Sequence, residues 1–180
     1  MLRRRRAPVD PLAHVDPALV SARFAGAVAD ALGARRRYAD VVAGVADGPV
    51  RDRLVDAGGR VDAGVLGVWE IAQRATQVER TLAALDPDRV TDEYKRAKRA
   101  GADAELEAVL AQRFASVQRL LNALDDTDAR LRLLDARLGA AVAGAAEVAL
   151  GVVAPDRLGA ELDDVVTGIT TLRAALDELG

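Results

Sequence analysis

The chain has 180 residues, 51% apolar and 29% charged, with a formal net charge of −3. That length buries a sizeable core in one domain, and that balance is globular rather than disordered. Without cysteine there is no disulfide framework and no thiolate metal site, which fits a reducing compartment and sets the cytoplasm as the expected location.

Aromatic residues make up 3% of the chain, as Phe24, Tyr38, Trp69, Tyr94 and Phe114, so the apolar content is mostly small aliphatic side chains suited to close helix packing. The N-terminus carries Arg3, Arg4, Arg5 and Arg6, but no apolar stretch of signal-peptide length follows. Residues 1–16 are therefore expected to form a flexible basic segment ahead of a single helical domain over 17–180. Asp16-Pro17 reads as a cap followed by proline in the first turn, and Val20, Phe24, Ala27, Ala31, Ala34, Tyr38, Val41 and Val45 keep a 4,3 step until Asp47-Gly48-Pro49. The spacing predicts a first helix over about 17–46.

Pro49 opens a second helix over about 50–86, roughly 54 Å long at 1.5 Å per residue. Its seam runs through Val50, Leu54, Ala57, Val61, Gly64, Val68, Ile71, Ala75, Val78, Leu82 and Leu85, ending at Asp86-Pro87. Gly58-Gly59 in its middle lowers helix propensity by about 2 kcal/mol and predicts a bend. Val65, Leu66 and Trp69 form a second apolar stripe beside the seam, suited either to a neighbouring helix of the same chain or to a partner interface.

Residues 88–100 read as a short helix, or as an extension of the second helix past a proline kink, with Gly101-Ala102-Asp103 as a reversal. From there a third long helix runs to about 152 on Leu106, Leu110, Val117, Leu120, Leu124, Leu131, Leu134, Leu138, Ala141, Ala145 and Val148, with Arg113 and Thr127 as polar residues in register. Asp125, Asp126 and Asp128 offer an alternative, a capped break around Thr127. Pro155 resets the chain into a helix over 156–179, where Leu158, Leu162, Val165, Ile169, Leu172 and Leu176 repeat the 4,3 step. The predicted fold is all-α: an elongated antiparallel helical bundle with long coiled-coil-like helices over about 17–46, 50–86 and 88/103–152, plus a C-terminal helix over 156–179. No stretch reaches the roughly 20 apolar residues of a membrane span.

Charge is unevenly spread. Residues 1–37 hold eight arginines (Arg3, Arg4, Arg5, Arg6, Arg23, Arg35, Arg36, Arg37) against three aspartates, and Lys95, Arg96, Lys98 and Arg99 form a second basic cluster beside Tyr94. Short loops and up-down packing put Arg3 to Arg6 and the turn at 87–103 at one end of the rod, where the two clusters would meet an anionic surface. Nucleic acid is disfavoured by the net negative charge and the scarcity of aromatics for stacking on bases.

Catalytic groups are sparse. His14 is the single histidine and has no partner at metal-ligand spacing. Ser21 and Ser116 lack a nucleophile-elbow context, no Gly-rich phosphate loop is present, and the carboxylate pairs Glu105/Glu107, Asp125/Asp126 and Asp163/Asp164 diverge on a helix. No catalytic, cofactor-binding or metal site is expected. The expected function is a non-enzymatic coiled-coil scaffold or adaptor that self-associates or binds another helical protein, with Arg3 to Arg6, Arg35 to Arg37, Lys95, Arg96, Lys98 and Arg99 as candidate contacts to an anionic membrane, and Val65, Leu66 and Trp69 as candidate interface residues. A soluble adaptor without membrane contact and a ligand-binding bundle are the alternatives. The expected rod is similar in shape to BAR-type and phage-shock-type helical scaffolds, a likeness of architecture without a shared motif.

Overall fold

A computed structural model describes residues 10–178. Among them the chain forms a 3-10 turn at Pro17–Leu19 and five helices: α1 Ala22–Ala43, α2 Pro49–Leu85, α3 Pro87–Ala100, α4 Ala104–Ala149 and α5 Pro155–Asp177. The described residues contain no strand.

Local chemistry sets most boundaries. Proline occupies the first turn of α2, α3 and α5, where its missing N–H would have no helical partner in any case. The Asp86 carboxylate accepts from the Arg89 N–H to start α3, and Asp103 accepts from Glu105 N–H to start α4. Gly101 closes α3 in the left-handed region, φ 63, which lets the Ala102 N–H donate back to the Ala97 carbonyl at 3.1 Å.

The first helix is shorter than its seam predicts. Asp16 does cap a helical turn, its carboxylate accepting from Ala18 N–H at 2.9 Å, but only three residues follow before Val20 and Ser21 turn extended. The extended step lets the Ser21 N–H donate to the Thr76 hydroxyl of α2 at 3.0 Å. It also lays Leu12, Val15 and Val20 on the core, all under 9% exposed. Residues 10–16 are thus packed, with Asp10 tied to Arg35 of α1 at 2.8 Å, and the part of the N-terminal segment that is described does not hang free.

α1, α2, α5 and α4 form a four-helix bundle in that order around the core, with α2 and α4 also touching across the diagonal. Contacts along the helices fix the directions. α1 and α2 run antiparallel, with Tyr38 Oη donating to the Leu54 carbonyl at one end and Ser21 meeting Thr76 at the other. α2 and α5 run parallel, joined in order by Arg60–Asp163, Glu70–Arg173 and Arg74–Asp177. α1 is parallel to α4, with Arg23 paired to Asp125 and Asp135 lying near Asp30 and Arg37. The core is mostly aliphatic, with Phe24 in addition to Leu54, Ile71, Leu124, Leu131, Leu138 and Leu162, all under 2% exposed.

α2 and α5 come especially close. A Cβ built on Gly67 would lie 2.9 Å from Ile169 Cδ1 and nearer still to its Cγ2, and one on Gly64 would lie 3.2 Å from Leu138 and 3.3 Å from Val165. Glycine at these two positions lets the α2 backbone approach its neighbours. Gly58-Gly59 does not interrupt α2, which is helical throughout 49–85.

α4 runs unbroken through Thr127, whose buried hydroxyl is satisfied by donating to the Ala123 carbonyl at 2.7 Å. With 46 residues it is roughly 69 Å long, whereas α1 and α5, with 22 and 23, reach only about half that. Past the level of Thr76 and Asp177, where α1 begins and α5 ends, the rod narrows. There the last turns of α2, then α3, pack on the N-terminal part of α4 as a two-helix arm.

Candidate interaction site

The arm is held by a small set of contacts. Val90 is its one fully buried α3 side chain, Tyr94 stacks on Phe114 with ring centroids 5.0 Å apart, and Glu93 takes ion pairs from Arg89 and Arg113, each at 3.1 Å. Arg113, polar in the α4 seam, is thereby accommodated without burial: it stands where no bundle helix covers α4.

Lys95, Arg96, Lys98 and Arg99 are exposed on the last turns of α3, and none has an ion pair among the described residues. Arg96 Nε donates to the Asp92 carbonyl at 3.3 Å, and Lys98 Nζ sits 5.9 Å from the Tyr94 ring centre. Their charge complements the carbonyl end of α3, while Asp103, Glu105 and Glu107 complement the amide end of α4 across the turn. The arm tip is consequently dipolar rather than uniformly basic.

The arginines of α1 lie elsewhere. Arg35 is clamped between Asp62 at 2.6 Å and Asp10 at 2.8 Å, which raises its already high pKa; the hydrogen bond from the Leu12 N–H, and then Arg35, hold the Asp10 carboxyl below its usual range. Its charge is neutralised within the fold. Arg36 and Arg37 are exposed beside it. From Asp62, at the level of Arg35, to Lys95 the chain climbs 33 residues of helix, roughly 50 Å along the rod. The Arg35 to Arg37 cluster and the Lys95 to Arg99 cluster therefore do not share an end, because α1 runs antiparallel to α2 and carries its arginines toward the α1–α2 loop, away from α3. Arg3, Arg4, Arg5 and Arg6 lie outside the described residues.

The proposed interface stripe is also reassigned. Val65 is 0% and Trp69 3% exposed, both in the main core cluster, and Leu66 is half-buried against it. They lie on the α2 face that carries Asp62 and Thr76 to α1, so a neighbouring helix of the same chain accounts for them.

Exposed apolar residues are spread along the rod, Leu19 at 62%, Val55 at 57% and Leu133 at 51% among them, and neighbouring ones occur at its two ends. At the loop end Leu150 is 79% and Val152 70% exposed beside a groove of ≈ 570 Å³ lined by Val41, Val45, Val50 and Val148. On the arm Leu106 is 52% and Val109 59% exposed. The signal for the arm was present in the sequence, since α4 carries apolar residues in register for longer than three other helices of this length can cover. His14 is exposed, and no cluster of three metal-ligating side chains occurs among the described residues. No described helix is long and apolar enough to cross a membrane. Comparison with protein-family models, with curated proteins and with solved structures finds no match for the chain.

Proposed function

We propose that the protein is a non-enzymatic helical scaffold or adaptor that associates with copies of itself through its coiled-coil surfaces. The observation that carries this reading is the unequal length of the helices. α4 keeps an apolar register from Leu106 onward, yet α1 and α5 cover only about its C-terminal half, and Leu106 and Val109 are left in water. A seam of this kind is stabilised when another helix covers it. Sedimentation velocity with light scattering tests the reading: a dimer or larger assembly is expected at micromolar concentration, and a monomer of 18.9 kDa up to the highest soluble concentration counts against it.

A second reading rests on Lys95, Arg96, Lys98 and Arg99, four exposed cations without ion pairs among the described residues. Each is worth about 1 kcal/mol against an anionic leaflet at low salt. A cytoplasmic protein resting peripherally on a membrane is the setting this implies. Pelleting with vesicles containing phosphatidylserine, lost in salt and on replacing the four residues by glutamine, is the expected result; protein that stays in the supernatant with those vesicles favours an adaptor without membrane contact.

A further inference from the structure

We infer that the self-association surface is the arm itself, with α4 residues 105–119 of two copies packing antiparallel about a two-fold axis at Gln112. This rests on the self-association proposed above and names its surface. Leu106, Val109, Arg113, Ser116 and Leu120 follow one another at steps of three and four, so they form one stripe along α4. The stripe begins with the two exposed apolar residues and ends on the half-buried Ser116 and Leu120. Phe114 and Val117 on the neighbouring flank are taken up by α3 and the core; within the stripe Arg113 pairs with Glu93 of α3 and Leu120 packs on the core, so its open apolar part is Leu106 and Val109.

Charge selects the occupant and its direction. Glu105, Gln112 and Arg119 are spaced by seven and border the stripe on the flank away from α3. Glu105 makes no ion pair among the described residues, and Arg119 there bonds only the Ser116 hydroxyl, at 2.9 Å. When two identical helices pack antiparallel across a two-fold axis, the same flank of each seam comes together. Glu105 of one copy then faces Arg119 of the second, twice per dimer, and the uncharged Gln112 faces itself. In a parallel pairing the like flanks of the two seams fall on opposite sides of the dimer, so Glu105 of one copy would not meet Arg119 of the second. Arg113, near the axis, keeps its charge paired with Glu93 of its own chain, so two copies can meet there without opposing unpaired charges. Two arms of two helices each then make a four-helix bundle, the same solution the chain uses for its own core.

The experiment is a concentration series of molar mass for the full chain and three variants, Glu105→Arg, Arg119→Glu and the double reversal, with helix content by circular dichroism as the check on folding. Each single reversal replaces two attractions by two repulsions and is expected to weaken the dimer about tenfold, and the double reversal is expected to return it to within about threefold of the parent. Because the chain has no cysteine, Gln112→Cys supplies an independent readout: oxidation should link the two copies into a covalent dimer without loss of helix content. A parent that dimerises while the single reversals change affinity less than twofold and Gln112→Cys stays unlinked overturns this surface and leaves self-association standing, with the apolar loop end around Leu150 and Val152 as its next location. A monomeric parent overturns both.

Discussion

Replacing Gly67 by alanine and, separately, Gly59 by alanine makes the same chemical change in the same helix and should give opposite results. Both substitutions gain helix propensity, about 1 kcal/mol in each case. At Gly59 nothing lies within 4 Å of the added methyl, so the gain stands and the variant should be more stable than the parent. At Gly67 the methyl falls into the Ile169 side chain of α5. Ile169 is 5% exposed and β-branched, which holds it near one rotamer in a helix, so α5 has to shift outward. Overpacking of this kind costs about 1–3 kcal/mol. Propensity cancels between the two variants, and the difference between them, about 1–3 kcal/mol, isolates the close approach of α2 to α5. Equilibrium unfolding in urea followed by circular dichroism measures it, and the corresponding split in Tm is roughly 2–12 °C for a chain of this size. A coupling of about 0.5–3 kcal/mol between Gly67→Ala and Ile169→Ala, each relieving part of the other, locates the strain at that pair. Two alanine variants agreeing within about 0.5 kcal/mol would refute the packing argument, whatever their shared sign.

Other perturbations follow from the polar groups. Thr76→Val keeps the shape but leaves the Ser21 N–H without its acceptor, at a cost of about 1–3 kcal/mol, whereas Ser21→Ala should change stability by no more than about 0.5 kcal/mol, because the Ser21 hydroxyl makes no capping bond despite its position at the start of α1; chemical denaturation of both variants compares them directly. Burial pushes the Tyr38 phenol up from 10.0 to about 12, so the neutral form is favoured in the fold and the stability it contributes is present below pH 10 and lost as pH rises through 12; unfolding measured across alkaline pH should show that loss, and Tyr38→Phe should remove it. Asp135 has its pKa raised above 3.8, first by burial and then by Asp30, with Arg37 opposing, so stability falls as pH rises through its folded value; Asp135→Asn should gain stability over the parent at neutral pH and lose that advantage in acid, as read by Tm across pH.

Helix identity was legible because it depends on neighbours in sequence. Pro49, Asp86-Pro87, Gly101, Asp103 and Pro155 punctuate the chain where the helices begin and end, and the 4,3 step marks residues that are buried in α2, α4 and α5. The misplaced start of α1 has a tertiary cause. Asp16-Pro17 satisfies every local rule for a helix start, but a hydrogen bond from Ser21 to Thr76, 55 residues away, competes with it and draws Val20 into an extended conformation. For the same reason the path of residues 10–16 could not be read from spacing, since the return of Asp10 to Arg35 depends on a pair formed across 25 residues.

Taken alone, the order of side chains determined that this protein is helical, where its long rods run and which stripe each one buries, because those properties repeat every three to four residues along one strand of chain. Which helices meet, that Trp69 and Val65 are spent on the protein's own core, and that the N-terminal part of α4 is left as an arm with Leu106 and Val109 in water were decided only by tertiary packing. A seam can specify that it needs a cover; only the lengths and directions of the other helices, assembled in space, determine how far that cover extends.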